Sequence, residues 1–237
     1  MKYIVTQRID CVLIIPDGKQ LEIDGFIFLC DVDGNNSAKY IQTEVEAHTK
    51  EEAQRKAHKL FAHFLSKITI FHNSKYTLLE IISVTDGKTT AVNKSILGRL
   101  NLGIDGGLIK DDYVKSIKNK RLRIRPLQHY SDGINSIDPF DQFRNYYLVL
   151  EYYLKDTRGI TNWIKIKEPK IEMKKGMNNY SMTVISWIRH KLSHSKKNNK
   201  GLTPLSISKP EDVLLVQKHL PIIQNLAREI IRDYEKI

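Results

Sequence analysis

The segment Ser186-Trp187-Ile188-Arg189-His190-Lys191-Leu192-Ser193-His194 gathers the side chains best suited to chemistry in this 237-residue chain. An imidazole, with an ordinary pKa near 6.5, can take or give a proton around neutral pH. A guanidinium stays charged and offers paired planar donors to phosphate oxygens. Arg189 and His194 stand five positions apart, His190 follows the arginine directly, and a basic run, Lys196-Lys197-Asn198-Asn199-Lys200-Gly201, comes next. At about 100° per residue, five steps put Arg189 and His194 roughly 140° apart around an unbroken helix. One copy of the pair is therefore poorly placed to surround a phosphate, unless the helix frays before His194 or a second subunit completes the site. Two plainer roles fit the same residues. His194 can cap a helix C-terminus, where a cation meets the macrodipole well. Arg189 can pair with Glu151 or another carboxylate of the same helical region.

The charge around this segment suits an anionic partner. The net charge is +11, and residues 1–107 contribute none of it, with 13 Lys+Arg against 13 Asp+Glu. Residues 108–130 carry 7 against 2, and residues 131–237 carry 18 against 12. A neutral half joined to a basic half predicts two domains with different partners. Nucleic acid is the commonest polyanion a basic domain meets. Other chemistries lack their residues. Cys11 and Cys30 have no CxxC spacing, the histidines show no HExxH pattern, and His58 and His63 do not share a helix face, so no metal site is expected. The glycines of Gly98–Gly107 match neither GxGxxG nor a phosphate-binding P-loop, and no cofactor is expected. No apolar run is long enough for a signal peptide or a membrane span, which predicts a cytoplasmic protein.

The elements that must hold these residues divide the same way. Tyr3 to Ile15, Leu21 to Val32, Tyr40 to Ala47 and Tyr76 to Val84 read as strands, and Asp86-Gly87 as a hairpin turn into Thr89 to Val92. Thr49-Lys50-Glu51-Glu52 is a capping box opening a helix whose buried stripe is Ala53, Ala57, Leu60, Phe61, Phe64, Leu65 and Ile68. Gly98 to Gly107 reads as a loop. Arg121, Arg123 and Arg125 alternate with Leu122 and Ile124, as in an edge strand with one basic face. The second half reads as all helix. Asp138-Pro139 starts a helix with Phe140, Phe143, Tyr147, Leu150 and Leu154 inward, widened by Tyr146, Tyr152 and Tyr153. Thr157 to Asn178 reads as irregular. Ser181 caps a helix through Met182, Ile185, Ile188 and Leu192. Ser208 and Pro210 open a last helix that Pro221 kinks or restarts. The predicted fold class is α+β: a small α+β domain at 1–107, a basic linker or edge strand at 108–135, and a helical bundle at 136–237.

Within that bundle, Arg189-His190-Lys191-Leu192-Ser193-His194 resembles the signature of the HEPN superfamily: arginine, usually a polar residue, a few more residues, then histidine at the end of a bundle helix. The resemblance covers about Ser136 to Ile237. Many HEPN proteins are metal-independent ribonucleases, so the resemblance implies an endoribonuclease that uses the RNA 2′-hydroxyl as its nucleophile. It gives Arg189 the phosphate and His194 the acid–base work, with His190 as a second acid/base or a polar orienter. Lys191, Lys196, Lys197 and Lys200 would bind RNA along the cleft. The family pairs two protomers face to face, which implies a homodimer with a composite site. A phage-defence or toxin role follows by analogy, with an antitoxin or a signal ligand as the partner of the N-terminal domain. HEPN-like domains without nuclease activity also exist, so the alternative is a non-catalytic RNA- or nucleotide-binding or dimerisation module.

Overall fold

The computed structural model describes residues 1–11, 13–15, 20–30, 36–86, 102–104, 107–109, 122–175, 180–193 and 203–237. The chain divides into two compact units, Met1–Leu122 and Arg123–Ile237. The class is α+β, an antiparallel sheet with one long helix followed by a set of helices.

The first unit is built on a five-stranded sheet, β1 (Lys2–Cys11), β2 (Gln20–Ile23), β3 (Phe26–Cys30), β4 (Ala38–Glu46) and β5 (Tyr76–Asp86), in the order β2-β3-β4-β1-β5. All its pairings are antiparallel. The single strand expected over Leu21 to Val32 is instead the β2–β3 hairpin. Asp24 and Gly25 turn the chain with φ of 53° and 81°, the left-handed pair that a two-residue turn between twisted strands requires. Helix α1 (Lys50–His72) crosses the sheet. Thr49 Oγ1 accepts from the Glu52 N–H at 3.1 Å, and the Glu52 carboxylate accepts from the His48 N–H at 2.8 Å. Phe64 stacks on Phe26 with centroids 4.1 Å apart, which anchors the apolar face of the helix on the sheet. Leu60 leaves the expected stripe and is exposed. The β1–β5 register shifts on both sides of Gln7, so Val5, Thr6 and Gln7 are all buried in a row. The buried Gln7 amide donates to the Leu79 carbonyl at 2.7 Å. The stretch expected as a loop over Gly98 to Gly107 contains β6 (Leu102–Ile104), which pairs antiparallel with β7 (Gly107–Ile109). The expected turn at Asp86-Gly87 and strand Thr89 to Val92 lie, from Gly87 on, outside the described residues.

Among its described residues, the second unit contains five helices, α2 (Ile124–Asn135), α3 (Pro139–Leu154), α4 (Thr157–Lys167), α5 (Val184–Ser193) and α6 (Pro210–Glu235). It is not all helix. Met173–Lys175 (β8) and Ser181–Thr183 (β9) form a short antiparallel hairpin before α5. The described part of the expected linker or edge strand at 108–135 is helical from Ile124, with Arg123 at its N-cap. The stretch read as irregular contains α4, whose first turn is closed by Asp156 accepting from the Gly159 N–H at 2.7 Å. The helix does not restart at Pro221, and α6 runs through it. Helix α3 begins as the sequence predicts, with Asp138 accepting from the Phe140 N–H at 3.0 Å and Pro139 in the first turn. It is the central helix and touches α2, α4, α5 and α6. Phe140, Phe143, Tyr146, Tyr147, Val149, Leu150 and Tyr153 are buried along it, whereas Tyr152 is exposed. Gly133 of α2 lets α3 approach: a Cβ there would lie 2.6 Å from the Tyr146 ring.

The two ends of this unit are fastened to each other. Glu235, its side chain 6% exposed, accepts from the Tyr153 hydroxyl at 2.8 Å and from the Arg123 N–H at 3.3 Å. The Arg123 guanidinium lies 5.7 Å from the Tyr153 ring centroid. Among the described residues, no helix is long and apolar enough to cross a membrane.

Candidate phosphate-binding helix end

Helix α5 carries Ser186 to Ser193 of the segment singled out by its residue types. Its start is set by β9 rather than by Ser181, which lies in that strand. Thr183 Oγ1 accepts from the Ser186 N–H at 3.3 Å and so takes the capping role. Its end is intact as far as Ser193. There the Ser193 hydroxyl donates to the Arg189 carbonyl at 2.9 Å, the Leu205 N–H donates to the Lys191 carbonyl at 3.3 Å, and Arg144 of α3 donates to the Leu192 carbonyl at 3.2 Å. A cation at a helix C-terminus is favourable, and here Arg144 supplies it.

Arg189 is half-buried, its side chain 23% exposed, and points at α3. One guanidinium nitrogen, Nη2, lies 3.6 Å from Glu151 Oε1, and the guanidinium carbon lies 5.7 Å from the Tyr147 ring centroid. Tyr147 and Glu151 are one turn apart on α3, so a single helix face holds the arginine from both sides. The Arg189 Nε is buried and has no hydrogen-bond partner among the described residues. The ion pair is loose at this distance and partly solvated, which limits its worth to roughly 0.2–1 kcal/mol.

A fully buried hydroxyl cluster lies on the inner side of α5. Ser186 Oγ accepts from Tyr147 Oη at 3.3 Å and from Thr183 Oγ1 at 3.2 Å, and lies 3.4 Å from Thr161 Oγ1. With both acceptor positions of Ser186 used, its own proton is left for Thr161. Burial pushes the Tyr147 hydroxyl up to about 12, opposed by its bond to Ser186. Tyr147 therefore stays neutral, its ring fixed by the hydroxyl at one end while its face meets the guanidinium.

The remaining expected site residues divide into placed and unplaced. His190 is half-buried next to Arg189. Lys191 folds over the Trp187 ring, its Nζ 4.5 Å from the centroid, and Lys174 of β8 brings a second ammonium to 5.9 Å. His194, Lys196, Lys197 and Lys200 lie outside the described residues. The structure thus brings Arg189, Glu151 and Tyr147 together, with Ser186 behind them, and places Lys191 with Trp187 and Lys174. Sequence reading missed Tyr147, Ser186, Trp187, Lys174 and Arg144 as neighbours of the site. Tyr147 and Glu151 at i, i+4 carried a usable signal, because they share a helix face. Among the described residues, no group of three or more His, Cys, Asp or Glu side chains is placed to hold a metal ion.

Residues 126–232, less than half of the chain and all within the second unit, match the family model described as methylamine utilization protein MauJ. No curated protein and no solved structure matches the chain.

Proposed function

We propose that the C-terminal unit binds RNA and cleaves it without a metal, as a homodimer in which each protomer contributes Arg189 and His194. The observation that supports this reading is the state of Arg189. Its guanidinium is held at the end of a basic helix by an aromatic face and a loose carboxylate, yet the side chain remains partly exposed. Such a group can exchange Glu151 for a phosphate at little cost, and its charge opposes the negative charge that builds on the phosphoryl oxygens.

The reaction needs no added nucleophile. The RNA 2′-oxygen attacks the adjacent phosphorus and gives its proton to one imidazole. The bond from phosphorus to the 5′-oxygen breaks, and that oxygen takes a proton from a second imidazole. The products are a 2′,3′-cyclic phosphate and a 5′-hydroxyl. Two copies of His194 supply the two proton positions, and His190 orients one of them or takes its place. The N-terminal unit would carry the signal, as the site for a ligand or an antitoxin, and the HEPN resemblance makes phage defence or a toxin role the setting. The likeness to the methylamine utilization family names a process and not a reaction, and favours no chemistry.

Incubation of the purified protein with RNA in EDTA tests this. The parent should cut, and Arg189→Ala and His194→Ala should each lose cleavage. Variants that cut like the parent remove the site, and a monomer by light scattering at micromolar concentration removes the composite cleft. The Arg189–Glu151 pair favours a second reading, a non-catalytic RNA or nucleotide binder in which the arginine is a structural and electrostatic contact. It predicts salt-sensitive RNA binding without cleavage, weakened in Arg189→Ala and unchanged in His194→Ala.

A further inference from the structure

Trp187 takes no part in the chemistry above, yet it draws two lysines from different elements. Lys191 reaches it from the next turn of α5 and Lys174 from the hairpin strand β8, so two ammonium groups lie within 6 Å of one indole centroid, at 4.5 and 5.9 Å. An ammonium over an indole is attracted by the ring, but two of them over one ring repel each other. Glu172 pairs with Lys174. Lys191 makes no ion pair with any described residue. Trp187 itself is only half-buried. Two steps along a helix turn the side chain by about 200°, so Arg189 faces α3 while Trp187 faces away from it. The patch is therefore a contact separate from the arginine.

We infer that Trp187, Lys174 and Lys191 form a docking platform for single-stranded RNA, with one base stacked on the indole and the two ammonium groups on the flanking phosphates. This rests on the RNA-binding part of the proposed function. The patch offers a half-buried indole with two ammonium groups within 6 Å of its centroid, and a single strand presents the complement of each, a base and its phosphates, at once. An acidic peptide would meet the lysines and leave the indole unused. Stacking tolerates any base, so the platform binds without reading sequence.

The test uses Trp187 as its own reporter. The chain has two tryptophans, and Trp163→Phe leaves Trp187 as the only emitter under tryptophan-selective excitation. The probe is a short 2′-O-methyl oligouridylate, which lacks the nucleophile and stays uncut, beside inorganic polyphosphate of equal charge. The oligonucleotide should quench Trp187 and polyphosphate should not. Trp187→Leu should bind the oligonucleotide roughly 5- to 150-fold more weakly. Lys191→Gln should lower the slope of log affinity against log salt by about 0.7, the share of one single-strand phosphate contact. Should Trp187→Leu not fold, the double variant Lys174→Gln/Lys191→Gln should lower that slope by about 1.4. Equal quenching by an oligoglutamate, an undiminished slope, or an unquenched Trp187 at saturation would each overturn the platform. Because the probe is never cut, the platform and the nuclease fail separately. Quenching in a protein that cleaves no RNA removes the nuclease alone, whereas RNA cleavage beside an unresponsive Trp187 removes the platform alone.

Discussion

Ser186→Ala should destabilise the C-terminal unit by roughly 2–4 kcal/mol, a large loss for the removal of one oxygen. The serine is fully buried, and its oxygen is the common acceptor for the Tyr147 and Thr183 hydroxyls, at 3.3 and 3.2 Å. Without it, two buried donors lose their acceptor, at about 1–3 kcal/mol each. Thr157 is within reach of the Tyr147 hydroxyl and softens one of those losses, which sets the range below the simple sum. Tyr147→Phe removes a single donor while keeping the ring and should cost about 1 kcal/mol. In the double variant, the phenylalanine has no proton to strand, so the two costs should fall short of additivity by about 1 kcal/mol. Both tryptophans, Trp163 and Trp187, belong to this unit, so the urea transition followed by their fluorescence reports it alone in the intact chain. The midpoint of Ser186→Ala should fall by about 1–2 M urea. A loss below about 1 kcal/mol, or strict additivity with Tyr147→Phe, would show that the four hydroxyls are not a coupled cluster and that Tyr147 does not depend on Ser186 to hold Arg189.

Other expectations use the same logic. Gly133→Ala should cost about 1–3 kcal/mol in the same urea assay, because its Cβ would meet the buried Tyr146 ring at 2.6 Å and force α2 from α3. Arg144→Ala removes the donor to the Leu192 carbonyl; it should cost only about 0.3–1 kcal/mol, yet lower RNA cleavage in EDTA severalfold by loosening the end of α5 just before His194. His63 is held below its ordinary imidazole value by burial, then by the Lys67 charge, so the fold favours its neutral form. That contribution is complete above about pH 6.5 and is lost as pH falls through the depressed value. Protection factors of the α1 amides, with the intrinsic pH dependence of exchange divided out, should therefore fall on acidification below pH 6.5, and His63→Gln should flatten the response.

Local chemistry was legible where a cap or a turn announces itself. Thr49 with Glu52, and Asp138 with Pro139, each mark a helix start within four residues, and both starts stand. Asp24-Gly25 was equally readable as a turn but lay hidden inside an apolar run from Leu21 to Val32. Other elements carried weaker marks. The strand Met173-Lys174-Lys175 has no alternation to read, because three residues cannot show a period. Helix α4 was masked by Gly159, which its first turn tolerates because Asp156 caps it. Leu60 and Tyr152 look apolar in sequence but fall on the solvent side of their helices. For the site, the arginine's place on α5 could be read from spacing, and Glu151 was available as a partner. The hydroxyl contact that fixes the Tyr147 ring could not be read, since Tyr147 and Ser186 lie 39 positions apart and only the packing of α3 against α5 joins them. Nor does spacing along α5 reveal Lys174, which arrives from a separate hairpin.

The fastening of Arg123 to Glu235 also bears on how the second unit can be handled. Its first and last turns meet through one shared carboxylate, so the five helices trace a nearly closed circuit. A module whose entry and exit lie side by side can be spliced into a surface loop of another protein without pulling its ends apart. For the same reason, a short peptide across the clasp would allow new ends to be opened elsewhere, for instance between α3 and α4, with the order of the helices rotated and their packing retained.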